Sequence, residues 1–390
     1  MYARLVAMAA VASAACAPLG ANSSAGSEKL LMSGSGHIMI GSFDAQAKSL
    51  KIDLDKTVSG APTWLALAKP NLLYAVDENS DTTSLFNVDL EAKKLDLKTS
   101  VKGSTGVVHL ELARDGSRML GAAYGSSAID VYDTSSGGLK FVKAVPSNDS
   151  LGPVKERQEK PHPHQAVLDP SGRFFAVNDL GTDRILVVDS KDDSFQVVNH
   201  VPVSPAGCGP RHGAFLPAGA SASQATHYLV LCEIKNVVNV FSLRYGGAKG
   251  IDFFLEQTIS TFPSATPAKA AAGELAISPD SKDVYVSNRL TGAATDNIAH
   301  FRITKPPSDN GALIKLELVA STSTGGTLPR MFSFSRDGRT LFVGNTGKGD
   351  LAVVALQRNA DGTLVEKPVA SIASSAFPGG VGPAYIQPVA

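Results

Sequence analysis

The sequence predicts an all-β fold, a seven-bladed β-propeller closed into a ring, and three observations support this prediction. Short apolar segments rich in β-branched and aromatic residues recur along the chain, each too brief for a helix. Asp-Gly and Pro-Ser-Gly turns precede several of them. Seven such segments lie roughly 35 to 56 residues apart, which is the spacing of four-stranded blades. A β-sandwich or a two-domain α/β fold is the competing architecture, but helical periodicity is almost absent.

The repeat is clearest in the stretch from Lys160 to Asp189, KPHPHQAVLDPSGRFFAVNDLGTDRILVVD. A strand that begins at Gln165 ends at a turn over 170–173, and the run Phe174–Val177 returns antiparallel to it. A third strand then follows. We assign the second strand of each of the seven units to His37–Ile40, Leu72–Val76, Arg118–Ala122, Phe174–Val177, Tyr228–Leu231, Val284–Val286 and Thr340–Val343.

The first unit lacks an inner strand of its own, because the segment before His37 is rich in Ser and Gly. The segment Gly382–Pro388 resembles the beginning of other units, such as Gly209–Phe215. We therefore expect residues 382–388 to supply the missing strand, so that C-terminal and N-terminal strands pair in one blade. This pairing would remove the exposed edges of an open sheet.

The N-terminal residues predict export. Residues 1–20 resemble a secretory signal peptide, with Arg4 ahead of an apolar run that is too short to span a membrane. Lipidation at Cys16 is an alternative. We expect residues 21–29 to be a flexible segment, residues 30–390 to form the propeller, and the mature protein to be secreted or attached to the cell surface. No later apolar run is long enough to span a membrane.

Two further features depend on export. Asn22 and Asn148 lie in Asn-x-Ser sequons and would carry glycans in a eukaryotic host. After removal of the signal peptide, the remaining cysteines are Cys208 and Cys232. Secretion favours a disulfide between them, and two buried free thiols are the alternative.

The charge balance limits the partners. Lys and Arg together number 36, as do Asp and Glu, so the formal net charge is zero. Nucleic-acid binding would require a strongly basic surface, and the sequence therefore predicts no nucleic-acid partner.

The repeat also predicts where a site should lie. In a meander, the start of a first strand and the end of a second strand lie at the same end of the sheet. Unusual polar residues occur at these two places, and we expect them to converge at one mouth of the central channel. Before or at the start of first strands lie His109, His162, His164, Arg211, His212, Glu274 and Arg330, and at the ends of second strands lie Glu78, Tyr124, Asp179, Glu233, Arg289 and Asn345.

Five separated segments, in order, carry a resemblance to a known family: RQEKPHPHQAVLDPSGRFFAVNDLGTDRI, GCGPRHGAF, LVLCEI, ELAISPDSKDVYVSNR and GGTLPRMFSFSRDGRTLFVGN. They resemble the seven-bladed propeller lactonase family, which includes bacterial-type 6-phosphogluconolactonases and fungal 3-carboxy-cis,cis-muconate cyclases. The resemblance covers the chain after about Leu30. It implies a small anionic substrate, either a lactone or a muconate, and catalysis without a metal or other cofactor.

The resemblance to the cyclase branch implies four catalytic residues: His164, Arg211, Glu233 and Arg289. The two guanidinium groups would bind carboxylates and stabilise developing negative charge, and His164 or Glu233 would transfer the proton. The same residues suffice for lactone hydrolysis. The remaining residues predicted at the mouth would bind substrate: His109, His162, His212, Arg330, Tyr124 and Glu78.

Several alternatives remain at this stage. Because phosphorylated sugars are kept in the cytoplasm, the predicted export favours a carboxymuconate cyclase-like enzyme, and a 6-phosphogluconolactonase-type hydrolase is the alternative. A secreted propeller without activity, serving as a binding protein or surface antigen, is another. A module that binds a carbohydrate or a peptide is a third. For the individual residues, the alternative to a catalytic role of Arg211 and Glu233 is a structural ion pair that braces adjacent strands. His162 and His164 could form a metal pair, but the spacing implies no third ligand.

Overall fold

The computed structural model describes residues 27–389, except for 69, 218–222, 306–312, 348 and 350. Residues 1–20, which are predicted to be a signal peptide and include Cys16, lie outside the described residues, as does Asn22. Within the described ranges the chain forms twenty-eight strands in seven four-stranded antiparallel sheets arranged as propeller blades. The predicted fold is confirmed.

Blade 1 combines strands from both ends of the chain, and blades 2 and 3 are continuous in sequence. Blade 1 contains, from the channel outward, β28 (Tyr385–Val389), β1 (Glu28–Gly34), β2 (His37–Asp44) and β3 (Ser49–Thr57). Blade 2 contains β4 (Leu65–Ala68), β5 (Leu72–Val76), β6 (Thr82–Asp89) and β7 (Lys94–Lys102). Blade 3 contains β8 (Val107–Leu112), β9 (Arg118–Ala123), β10 (Ala128–Asp133) and β11 (Lys140–Pro146).

The other four blades are continuous in sequence. Blade 4 contains β12 (Pro163–Leu168), β13 (Phe174–Asp179), β14 (Arg184–Asp189) and β15 (Gln196–Pro202), and blade 5 contains β16 (Pro210–Leu216), β17 (His227–Cys232), β18 (Val237–Tyr245) and β19 (Ile251–Ser260). Blade 6 contains β20 (Ala271–Ile277), β21 (Asp283–Arg289), β22 (Asn297–Thr304) and β23 (Lys315–Ser323). Blade 7 contains β24 (Pro329–Phe334), β25 (Thr340–Asn345), β26 (Leu351–Gln357) and β27 (Ala370–Ala373). Short 3₁₀ turns lie at Ser135–Gly137, Ser374–Ala376 and Pro378–Gly380.

The ring closes as predicted. Strand β28 pairs antiparallel with β1, and Lys29 faces Val389 while Ser33 faces Tyr385. The C-terminal segment therefore provides the inner strand of the blade that the N-terminal strands complete.

One strand assignment was wrong. His37–Ile40 lies in β2, which is the third strand of blade 1, and the second strand is β1, which begins at Glu28. The Ser- and Gly-rich residues before His37 were expected to contain no strand of this blade. Instead, β1 runs through them to Gly34, and Ser35 and Gly36 form a two-residue hairpin turn with positive φ angles of 50° and 78°. The propeller thus begins at Glu28, slightly before the expected boundary at residue 30.

The core consists of apolar layers between neighbouring blades. Strand β1 shows how the alternation produces them: Leu30 and Met32 pack with blade 7, whereas Leu31 packs with blade 2. Successive side chains of a strand point to opposite faces, and both faces of this strand are covered. Seven such clusters occur among the described residues, one for each contact between adjacent blades.

A β-bulge near the start of several inner strands prepares the site. In β12 the pairing with β13 passes from Pro163 to Gln165 and omits His164. Strand β16 omits Arg211 in the same way, and β24 omits Arg330. A bulge releases one residue from the ladder and redirects its side chain. Each of these residues follows a proline, which cannot donate to the ladder and is tolerated as the first residue of a strand.

Within the described part of the chain, no helix is long and apolar enough to cross a membrane.

Candidate active site

The bulge residues meet at one mouth of the central channel. His164, Arg211, His212 and Arg330 line the same narrow cavity, together with Trp64. The cavity has room for roughly one water molecule. Residues that are more than a hundred positions apart in sequence thus lie side by side, as the repeat predicted.

Glu233 is the centre of the charged network. It follows the last residue of β17, and its backbone N–H donates to the carbonyl of Gly209 at 2.8 Å. Its Oε2 lies 2.9 Å from Nε of Arg211 and 3.0 Å from Nη2 of Arg289. Its other oxygen, Oε1, accepts a hydrogen bond from Nη2 of Arg157. Three guanidinium groups therefore contact one carboxylate.

This network keeps Glu233 ionised. Burial alone would raise the pKa of Glu233, but Arg289, Arg211 and Arg157 together lower it to about 2. Burial and the positive charge of Arg289 together lower the pKa of Arg211 to about 9, although the negative charge of Glu233 acts to raise it. Both groups are therefore charged at neutral pH, and Glu233 is a poor proton donor or acceptor there.

Arg211 and Arg289 are also held by the backbone of blade 6. Arg211 donates to the carbonyl of Gly273, and Arg289 donates through Nη2 to the carbonyl of Ala272 at 2.8 Å. Arg211 is almost completely buried, and the side chain of Arg289 is 15% exposed. The two guanidinium groups are thus fixed before any substrate arrives, as charge stabilisation during a reaction requires.

His164 is neutral. Burial lowers its pKa well below 6.5, and the positive charge of Arg211 acts in the same direction. Its Nδ1 atom is buried, and no hydrogen-bond partner for it exists among the described residues. A neutral imidazole has one unprotonated nitrogen, which can accept a hydrogen bond or, during a reaction, a proton.

His212 and Glu274 form a buried polar pair next to His164. Nδ1 of His212 lies 2.7 Å from Oε1 of Glu274. Burial lowers the pKa of His212 well below its usual value and raises the pKa of Glu274 to about 8. The contact is therefore a hydrogen bond between neutral groups at neutral pH. The ring centroids of His212 and His164 are 5.1 Å apart, so this polar pair lies next to His164.

The remaining predicted residues surround this centre. The ring of His109 lies 6.0 Å from that of His212, and Glu78 accepts a 2.7 Å hydrogen bond from Nη2 of Arg330. The ring of Tyr124 lies 5.7 Å from that of His164. All ten residues predicted for the site therefore belong to one connected group.

His162 was predicted to bind substrate, but its ring and both ring nitrogens contact other protein groups. Its ring stacks on Tyr124 at 4.0 Å, and its nitrogens contact the carbonyl oxygen of Tyr124 and the carboxylate of Glu159. Its backbone N–H donates to Asp179, which also accepts from the N–H of Gly181. His162 thus supports the position of Tyr124, and Asp179 fixes the turn beside it.

Sequence reasoning missed two residues of this group. Trp64 lies before β4, and its ring is 4.1 Å from that of His109 and 5.6 Å from that of His212. Arg157 reaches Glu233 from the loop between β11 and β12. Trp64 is the only tryptophan of the chain, which is a weak indication of a role in the site. The loop that contains Arg157 has no counterpart in the repeat, so the repeat could not place Arg157 at the site.

Cys208 and Cys232 form a disulfide. It joins the segment just before β16 to the last residue of β17, next to Arg211 and Glu233 respectively. Asp183 reinforces this segment by accepting from the N–H groups of Gly207 and Gly209 at 2.6 and 2.8 Å. Gly209 has a φ of 66°, a conformation that disfavours residues with a side chain.

Below the histidines the channel widens. A cavity of about 620 Å³ is lined by inner strands of the ring, including Glu111, Gln165 and Glu274. Trp64 and Met331 line both this cavity and the narrow one above it, so they form part of the boundary between them. No group of three or more His, Cys, Asp or Glu residues in the described ranges is arranged to hold a metal ion.

Comparisons with known proteins agree with this architecture. The family model described as "Lactonase, 7-bladed beta-propeller" matches residues 24–375. The chain belongs to the seven-bladed β-propeller lactonase family. This lactonase-family chain is 32% identical over 345 residues to the protein of Arthroderma benhamiae named "Probable 6-phosphogluconolactonase", and the match covers 84% of each chain.

Solved structures show the same fold. The periplasmic gluconolactonase of Pseudomonas aeruginosa is similar with a TM-score of 0.77 and 24% identity, covering 94% of this lactonase-family chain and 99% of the other. A protein from Lactobacillus plantarum gives a TM-score of 0.74 at 24% identity, covering 89% and 99%.

Proposed function

We propose that this protein hydrolyses the lactone of a small anionic sugar acid. The observation that carries the proposal is the convergence, at one mouth, of a neutral His164 with the fixed guanidinium groups of Arg211 and Arg289. The name of the similar protein from Arthroderma benhamiae, "Probable 6-phosphogluconolactonase", supports a sugar-acid lactone as the substrate, and the periplasmic gluconolactonase with the same fold is consistent with it.

In the proposed reaction, His164 accepts a proton from a water molecule as the water oxygen attacks the lactone carbonyl carbon. Arg211 and Arg289 stabilise the negative charge that develops on the carbonyl oxygen. The ring C–O bond then breaks, and the proton returns from His164 to the departing alkoxide oxygen. Glu233 takes no proton, since its role is to hold the guanidinium groups in place. Lactone and water give the open hydroxy acid.

Formation or opening of a muconolactone is a second candidate. The four residues that the cyclase branch implies are brought together here, and cyclisation would use the same guanidinium groups for substrate carboxylates. In that reaction a neutral His164 would transfer the proton at carbon. An inactive propeller that only binds its ligand is a third outcome.

The test measures hydrolysis of 6-phosphogluconolactone and glucono-1,5-lactone, and cyclisation of 3-carboxy-cis,cis-muconate, by the purified protein. We expect turnover of a sugar-acid lactone and a loss of about 10²- to 10⁴-fold in kcat/KM in His164→Ala. His200→Ala is the matched control, because His200 is exposed on β15 and contacts Asp149. Turnover of the muconate alone would favour the cyclase, and turnover of none would overturn the enzymatic proposal.

We also propose that the protein is exported. The predicted signal peptide over residues 1–20 and the disulfide between Cys208 and Cys232 support this, because disulfides persist in oxidising compartments. Asn148 is exposed in the loop after β11 and is accessible for the predicted glycan. Mass spectrometry of the protein recovered from the culture medium or cell envelope should find an N-terminus near residue 20, and an intact Met1 in the cytoplasm would contradict export.

A further inference from the structure

Arg157 differs from the other arginines around Glu233. The side chain of Arg157 is 41% exposed, whereas that of Arg211 is 3% exposed and that of Arg289 is 15% exposed. A guanidinium group has five N–H donors in a planar fork. Arg157 uses one of them on Glu233 and lies close to Tyr124, and the rest of the side chain is partly exposed to solvent.

The loop that presents Arg157 is firmly built. Gln158 is almost completely buried and donates through Nε2 to the carbonyl of Leu180 and to Asp183, both at 2.8 Å. Its Oε1 accepts from the N–H of Val154 at 3.0 Å. The N–H of Gly152 donates to the carbonyl of Gly181 at 2.9 Å. The loop is thus attached to blade 4, so Arg157 is a pre-positioned group rather than a mobile surface side chain.

The charges around Glu233 do not balance. Arg157, Arg211 and Arg289 all contact this one carboxylate. The excess of positive charge favours an anionic ligand, and a planar guanidinium binds carboxylate or phosphate in two-pronged geometry. Arg211 and Arg289 are more buried and face the lactone carbonyl in the proposed reaction, so an anionic group remote from that carbonyl would lie further out, where Arg157 is exposed.

We propose that Arg157 is a specificity-determining residue, which selects lactones that carry an anionic group, a phosphate or a carboxylate, remote from the reacting carbonyl. This inference rests on the proposed lactone hydrolysis. In the free protein Glu233 occupies part of the Arg157 fork, and on binding the substrate anion takes the exposed donors. The side chain of Tyr124 lies close enough to Arg157 to interact with it electrostatically.

The test compares charged and neutral substrates. We expect Arg157→Ala to lower kcat/KM for 6-phosphogluconolactone by roughly ten- to hundred-fold more than for glucono-1,5-lactone, which is the usual effect of losing a charge-assisted hydrogen bond. Arg157→Lys should restore part of the preference, because it keeps the charge but not the fork. Lys155→Ala is the matched control, since it removes an exposed positive charge from the same loop. Equal losses on both substrates would show that Arg157 only supports Glu233, and would overturn the inference.

A binding measurement separates this inference from the proposed reaction. Calorimetric titration should show that the wild type binds 6-phosphogluconate more tightly than gluconate, and that Arg157→Ala loses most of this preference. If no lactone is turned over but the Arg157-dependent preference persists, hydrolysis is contradicted and the role of Arg157 is supported. If the wild type shows no preference, or if Arg157→Ala retains it, the inference is wrong.

Discussion

At the scale of single residues, the environment of each acid determines what it can do. Glu233 contacts three guanidinium groups and remains ionised, whereas Glu274 is buried beside a neutral His212, and burial raises its pKa to about 8. Both are buried carboxyl groups. The first can position arginines, and the second can donate a hydrogen bond at neutral pH, because burial without a sufficient counter-charge favours the protonated form.

This difference predicts a pH dependence of stability. The pKa of Glu274 is raised from 4.5 to about 8, so between these values the folded state binds a proton that the unfolded state has lost. The stabilisation from this group is fully present below pH 4.5 and is lost as the pH rises through about 8. Glu274→Gln should remove the part of the fall in unfolding free energy that comes from this group as the pH rises. The difference in unfolding free energy between variant and wild type should therefore change by more than about 1 kcal/mol as the pH rises from the lower to the higher of the two pKa values.

Urea unfolding at pH 5, 6.5 and 8 measures this difference. Glu366→Gln is the control, because Glu366 is exposed and should retain the wild-type slope. An unchanged slope in Glu274→Gln would show that Glu274 is already ionised in the folded protein.

The residues that were predicted and those that were missed differ in their relation to the repeat. His164 and Arg211 each follow a proline at the start of an inner strand, and Glu233 and Arg289 lie at the ends of second strands. Position in the repeat was therefore sufficient to bring them together. Arg157 lies in a loop whose path depends on the buried hydrogen bonds of Gln158, and no local pattern specifies such a path.

At the scale of elements, Arg211 and Glu233 lie at the open end of the β16–β17 hairpin, where the start of β16 pairs with the end of β17. The disulfide between Cys208 and Cys232, which are 24 positions apart in sequence, links the two strands at this end. The sequence allowed either a disulfide or two free thiols, because only the fold shows that the start of β16 and the end of β17 are adjacent. Strand β1 was missed for a related reason: the turn at Ser35 and Gly36 resembles a linker unless its pairing partner is known.

Removal of the disulfide should therefore affect both stability and catalysis. Replacing both cysteines by serine should lower the unfolding free energy by about 3 kcal/mol, as expected for a closed loop of this length. It should also lower kcat/KM, since the segment that leads to Arg211 loses a covalent attachment. Chemical denaturation and the lactone assay measure the two effects. Dithiothreitol should reproduce both in the wild type and change neither in the double variant; full activity and stability in that variant would contradict the prediction.

At the scale of the whole molecule, the seven-fold ring follows directly from the sequence. The spacing of the apolar segments specified the number of blades, and the similarity of residues 382–388 to other inner strands specified the closure. Such features repeat, so each blade supports the assignment of the others. What the repeat could not specify was the assignment of strands in blade 1, where two distant segments combine.

The closing strand should contribute strongly to stability. Ile386 of β28 is completely buried between blades 7 and 1, whereas Gln387 is exposed. Ile386→Ala should lower the unfolding free energy by about 2 to 5 kcal/mol through the loss of buried surface and the cavity left behind. Gln387→Ala should cost much less. Thermal and urea unfolding of the two variants measure the difference, and equal effects would show that β28 does not hold the ring together.

Pairing between Lys29 and Val389 also has a consequence for how the protein is made. During synthesis the early strands leave the ribosome long before their partner exists, and blade 1 then presents an unprotected sheet edge. Contacts between distant parts of a chain form slowly, and incomplete sheets aggregate readily. We therefore expect the nascent chain to be most prone to aggregation before the final strand has been translated.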